Sequence, residues 1–141
     1  MKRVQIHDAQ PTAIKAMMGL EGYLETTDLP GKLVELVKLL ASQINGCVYC
    51  IGLHTSAAKE HGASPQQLAA LSDWRNSSDF TKAERAAFTL AEEVTLISEK
   101  GVSDAVYQDV QAHFSETQIA QLIMVLVVVN AWNRIAVSAH S

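Results

Sequence analysis

Within one short stretch, Cys47, Cys50 and His54 have the types and the spacing for thiol chemistry. Steps of three and four residues place all of them on one face of a helix, where their side chains can meet. A thiol attacks only as its thiolate, and a helix N-terminus or a neighbouring base lowers its pKa from about 8.5 toward neutrality. Both aids are present. Asn45-Gly46 interrupts the preceding apolar pattern and puts the cysteines in the first turn of a new helix, among unpaired backbone N–H groups. His54, one turn beyond Cys50, is placed to accept a proton. Which sulfur attacks stays open at this level. The helix dipole favours Cys47. Against that, Cβ atoms three residues apart on a helix lie about 5–6 Å from one another, whereas a disulfide needs about 3.5–4.5 Å. One cysteine must therefore move, and the fraying helix start lets Cys47 move more easily, which suits a resolving partner for a sulfenic acid formed at Cys50.

Blander uses of the same residues compete with this reading. Two cysteines on a helix face can be inert packing. Zinc could take Cys47, Cys50, His54 and Glu35, but the second Cys-x-x-Cys or His pair of a structural site is missing, so no metal is expected. Glu35 alone would read as a solvated helix charge. His61, beside Gly62 at a helix C-terminus, complements the helix dipole, and His7, His113 and His140 read as surface residues. Asn130, Asn133 and Arg134 interrupt an apolar helix, so they are expected to satisfy one another or to cross a subunit boundary. Trp74 and Trp132 read as packing.

The elements that must hold these residues are helical. Ala13, Met17, Leu20 and Leu24 recur at helical spacing until Thr26–Gly31, and a second helix from Pro30 carries Leu33, Leu36, Val37 and Leu40 as its stripe, with Lys32, Glu35 and Lys38 partly outside it. The helix of the cysteines runs to about His61, closed by Gly62 as a left-handed cap. Ser64 with Gln67, Thr81 with Glu84 and Ser115 with Gln118 mark three further helix starts. The first of these helices runs through Trp74 and the second through Ile97 to Gly101; another short helix spans Ser103 to Phe114. The last, from Ser115 past Ile135, is apolar nearly all round and must be covered on most faces, centrally in a bundle or by a neighbouring subunit. The expectation is an all-α, single-domain chain spanning 1–141, with about six or seven helices.

Composition closes off several function classes. The 141 residues are 48% apolar and 18% charged, which is ordinary for one soluble domain. A net charge of -4 without a basic block argues against nucleic acid as a partner. The longest apolar run, Leu122 to Val129, is far short of the roughly 20 residues of a bilayer span, so no membrane is expected. The N-terminus lacks the apolar stretch of a signal peptide, and a cytoplasmic location is expected. Two cysteines three residues apart cannot staple a secreted fold and suit redox chemistry in a reducing compartment.

Glu35, eleven intervening residues, Cys47-x-x-Cys50, three more residues and His54 together resemble the AhpD-like alkylhydroperoxidase core of the carboxymuconolactone decarboxylase superfamily. The likeness is strongest over SQINGCVYCIGLHTSAAKEHG, and Asn130-x-x-Asn133-Arg134 extends it toward the C-terminus. The resemblance implies an all-helical fold assembled as a trimer or hexamer, and a peroxidase with no bound cofactor. In that scheme Cys50 attacks a small peroxide, Cys47 resolves the sulfenic acid as a disulfide, His54 accepts the thiol proton and Glu35 orients His54. A thiol or lipoyl-type partner supplies electrons. Tyr49 stands where well-studied relatives carry histidine, and its hydroxyl is a candidate contact for a peroxide oxygen. Two alternatives remain: lactone decarboxylation, as in the superfamily's namesake branch, where a redox Cys-x-x-Cys is not expected, and a redox-sensing oligomeric module without turnover.

Overall fold

The computed structural model describes residues 1–139, which are all-helical, with no strand among them. His140 lies outside the described residues. The helices are α1 (Ile6–Ala9), α2 (Pro11–Leu24), α3 (Gly31–Asn45), α4 (Val48–Glu60), α5 (Pro65–Ala70), α6 (Lys82–Thr95), α7 (Ile97–Lys100), α8 (Asp104–Gln111) and α9 (Glu116–Ala139), with a 3₁₀ turn at Leu71–Asn76.

Among the described residues this makes nine helices, where about six or seven were predicted. Two of the nine are single turns. Gln10 precedes Pro11 and is held away from the helical region (φ -141, ψ 70), so a four-residue α1 splits off ahead of α2. Leu96 (φ -97, ψ 38) breaks the helix that the apolar stripe carried through Ile97 and leaves α7 as a separate piece. The helix predicted through Trp74 likewise stops at Ala70 and continues as a 3₁₀ turn, kinked at Asp73 (φ -124, ψ 40). All three capping boxes form: in each, the Ser or Thr oxygen accepts the backbone N–H three residues on, and the Gln or Glu side chain accepts the N–H of the cap.

The hub is α3, which packs against α4, α6 and α9. Leu36, Val37, Leu39, Leu40 and Ala41 are buried, so this helix is enclosed over more than the predicted stripe. Opposite them lie Ala87, Phe88, Leu90 and Ala91 of α6 and Leu122, Val125, Leu126 and Val129 of α9. Phe88 meets Trp74 and Phe80 edge-on, with ring centroids 5.6 and 5.1 Å away. By length and composition α9 is the one helix among the described residues able to cross a membrane. It packs against α2, α3, α4, α6 and α8, with 44% of its most apolar window buried, so the single chain leaves part of this helix, Val127 and Val137 among it, uncovered.

Candidate active site

The site begins at the end of α3. Gly46 takes a left-handed conformation (φ 67), and the N–H of Cys47 reaches back to the carbonyl of Ser42 at 3.1 Å, a turn that closes α3 and redirects the chain into α4. Cys47 is then extended (φ -85, ψ 95) and is the N-cap of α4, one step outside the helix rather than in its first turn. Its sulfur accepts the backbone N–H of Cys50 at 3.3 Å. The extra backbone freedom of a cap residue supplies the local movement that a regular helix denies, and Cys47 and Cys50 are joined as a disulfide with Cα atoms 5.2 Å apart. Both cysteines are buried, whereas Val48 and Tyr49 between them are 83% and 71% exposed. Tyr49 thus points to solvent.

The i, i+4 spacing keeps His54 one turn along the same face of α4 as Cys50. Its Nδ1 lies 3.0 Å from Oε2 of Glu35 on α3, and both side chains are largely buried. Because the carboxylate can only accept, Nδ1 carries the proton, which leaves Nε2 of a neutral imidazole as an acceptor. In this oxidised form the sulfurs carry no proton to hand over, and among the described residues no hydrogen bond joins the imidazole to either sulfur.

The other oxygen of the carboxylate, Oε1, faces Lys38 Nζ at 3.5 Å. Burial pushes the Glu35 carboxyl up, but the hydrogen bond from His54, the charge of Lys38 and the charge of His54 together outweigh it and hold Glu35 below the usual carboxylate range. The stripe on α3 placed Lys38 partly outside the core, yet its side chain is only 10% exposed. The available signal was its i, i+3 spacing to Glu35. Glu35 and Lys38 form one wall of a groove of about 440 Å³ that also touches Glu21, Glu25 and His61. His61 is exposed at the end of α4, and its ring lies so close to Gly31 that a Cβ there would fall 2.8 Å from Nδ1.

Among the described residues, Arg134 and Asn130 of α9 bond each other, but Asn130 and Asn133 do not meet directly and are bridged by Asn45 of α3, a partner that was not foreseen. Asn45 Nδ2 donates to Oδ1 of both Asn130 and Asn133, at 2.9 Å each. Asn133 Nδ2 donates to Ser42 Oγ (3.1 Å), Asn130 Nδ2 to Thr95 Oγ1 (3.1 Å), and Arg134 Nη1 to Asn130 Oδ1 (2.9 Å). This network anchors the residue immediately before the Gly46 turn. His7 and His113 are exposed, as expected, with Asp109 one turn before His113 at 3.9 Å.

A search among known families and proteins agrees with this architecture. Residues 11–93, more than half of the chain, match the carboxymuconolactone decarboxylase family. YdfG, an uncharacterised protein of Bacillus subtilis, is 35% identical over 137 residues, covering 97% of this chain and 93% of its own. A crystal structure from Agrobacterium tumefaciens, of a protein of unknown function provisionally assigned to AhpD-type antioxidant defence, superposes with a TM-score of 0.95 at 37% identity over 100% of this chain and 97% of that one. An uncharacterised peroxidase-related protein with an alkylhydroperoxidase AhpD core, from Ralstonia eutropha, superposes with a TM-score of 0.83 at 19% identity over 94% of this chain and 71% of that one, a likeness of fold alone. The chain is therefore an AhpD-like member of the carboxymuconolactone decarboxylase family.

Proposed function

We propose that this protein is a dithiol peroxidase that reduces small hydroperoxides through Cys50. The observation that carries the reading is the joining of two buried pairs along α4: a Cys47–Cys50 disulfide at the helix start, and one turn on a histidine whose Nδ1 is held by Glu35. In the reduced protein the Nε2 of His54 takes the Cys50 proton. The thiolate attacks the terminal peroxide oxygen, the O–O bond breaks, and the departing alkoxide takes up a proton, leaving Cys50 sulfenic acid and an alcohol or water. Cys47 then attacks the sulfenic sulfur, the disulfide forms and water leaves. An external dithiol returns two electrons and two protons.

The cap position of Cys47 supports its role as the resolving sulfur, since its backbone is already extended and its movement involves only the first backbone bond of α4, from the Ile51 N–H to the Cys47 carbonyl. Tyr49, exposed beside the pair, is a candidate contact for the peroxide or for the reducing partner. Val127 and Val137 on α9 and Val48 and Leu53 on α4 remain exposed in the single chain, which supports assembly into a homo-oligomer.

The test is peroxide consumption with several thiol donors, alongside thiol labelling and mass spectrometry of Cys47 and Cys50. Peroxide should convert the reduced pair to the disulfide, and Cys50→Ser should abolish turnover. Full turnover in Cys50→Ser would falsify the assignment of the nucleophile. Activity on a carboxymuconolactone that survives replacement of both cysteines would instead establish lactone decarboxylation, and an oligomer that changes on oxidation without turnover would establish a redox sensor.

A further inference from the structure

We propose that Lys38 is a positioning residue of this site: its ammonium holds one oxygen of the Glu35 carboxylate while the other is presented to His54, and its charge sets the pH at which the dithiol becomes reactive. The inference rests on the reading of Cys50 and His54 as a thiol and its base, but not on the identity of the oxidant.

Lysine is almost never buried unless it is paired. An i, i+3 ion pair on an open helix surface contributes little and leaves both side chains free to wander. Lys38 differs, because its side chain is nine-tenths buried with its nitrogen 3.5 Å from Glu35 Oε1, while Oε2 of the same carboxylate lies 3.0 Å from His54 Nδ1. The carboxylate is thus held from both sides, one oxygen toward the ammonium and the other toward the imidazole, which fixes the plane it presents to His54.

The other charged groups around Lys38 are engaged elsewhere or farther away. From α2, Glu21 and Glu25 line the same groove, and Glu21 Oε1 accepts the indole N–H of Trp132 at 2.7 Å. From α6, Glu84 takes Lys32 at 3.6 Å. From α9, Arg134 is spent on Asn130, and at the end of α4 His61 lies across the groove. Among the described residues, Glu35 alone brings a carboxylate within ion-pair distance of Lys38.

The charge balance gives the sign. With Lys38 in place, a neutral imidazole leaves Lys38, Glu35 and His54 with no net charge, and a protonated one makes the group positive. Without Lys38 the same two states are negative and neutral. Removing the fixed positive charge therefore makes every nearby proton harder to lose. The acid limb of thiol reactivity moves to higher pH whether the reacting form is a thiolate beside an imidazolium or a thiol whose proton His54 removes.

The experiment uses the full chain, reduced, and follows alkylation of Cys50 by iodoacetamide by peptide mass spectrometry from about pH 5 to pH 9, the window in which imidazoles and activated thiols titrate. Lys38→Met and Lys38→Gln should each move the acid limb upward by about half a pH unit or more, while Lys38→Arg, which keeps the charge, should leave it with the wild type even if the rate falls. Profiles for Met and Gln that superimpose on the wild type would overturn the proposal. So would an equal shift in Lys38→Arg, or loss of helical circular dichroism in all three variants, which would make Lys38 a structural residue only. Peroxide consumption by the wild type is measured in parallel. No consumption together with the predicted shifts removes the peroxidase reading and leaves the role of Lys38, whereas consumption with superimposed profiles does the reverse.

Discussion

Two polar clusters sit on α3, one around Glu35 and one around Asn45, about 15 Å apart along the helix at 1.5 Å per residue. Both face neighbouring helices, and both contain side chains that an apolar core would not choose. The cluster at Asn45 is a set of amides and hydroxyls, with the Arg134 guanidinium donating at its edge, and its donors and acceptors meet at 2.9–3.1 Å. That at Glu35 carries a carboxylate, an ammonium and an imidazole, opens on a groove, and leaves Nε2 of His54 unspent. A cluster whose capacity is used up by its own members stabilises and registers helices, whereas one with an atom left over can do chemistry. Substitutions that separate stability from reactivity test this division.

The largest effect belongs to the reactive side: Cys50→Ser should bring peroxide consumption to the uncatalysed background, while Cys47→Ser still permits a single oxidation, trapped as a sulfenic acid by a dimedone-type reagent. Next, Glu35→Gln keeps the shape but gives His54 a weaker acceptor, and should slow Cys50 oxidation roughly tenfold or more, read by stopped-flow at neutral pH. The division is broken if Glu35→Gln lowers stability alone. On the amide side, Asn133→Ala removes a fully buried amide, taking from Ser42 Oγ its donor and from Asn45 one of its two acceptors, and should cost about 1–3 kcal/mol, lowering Tm by about 2–4 °C for each kcal/mol, with per-molecule reactivity retained in the folded protein.

Acid sharpens the contrast. Glu35 binds its proton more weakly in the folded chain than in the unfolded one. Its contribution to stability is therefore complete above the unfolded carboxylate value of about 4.3 and is lost as pH falls through the lower folded value. Urea melts across this range should show a smaller acid-side decline in Glu35→Gln, and no such change in Asn133→Ala. The smallest effect is that of Tyr49→Phe, which should alter stability by no more than about 0.5 kcal/mol because the ring is exposed. Its influence on peroxide turnover decides whether Tyr49 contacts the substrate.

Legibility followed the range of the interactions. Helix starts written as Ser-x-x-Gln or Thr-x-x-Glu depend on four consecutive residues, and all of them form. The family pattern from Glu35 to His54 likewise anticipated a contact across 19 residues. The breaks at Leu96 and Asp73 were hidden because periodicity runs straight through them, and only packing against the rest of the bundle selects a kink. Lys38 shows the same limit: its place partly outside the apolar stripe gives no local sign that its side chain ends only 10% exposed. Of the partners of Asn130 and Asn133, those on α3 lie 85 to 91 residues away and Thr95 on α6 lies 35 away, beyond any local pattern.

Cys47 holds two offices at once, as the sulfur bonded to Cys50 and as the acceptor that opens α4. Any adduct on that atom, a mixed disulfide with a reducing partner included, crowds the amide it caps and loosens the first turn. The backbone ahead of His54 is then coupled to the state of that sulfur, and amide exchange at Cys50 becomes a direct readout of it.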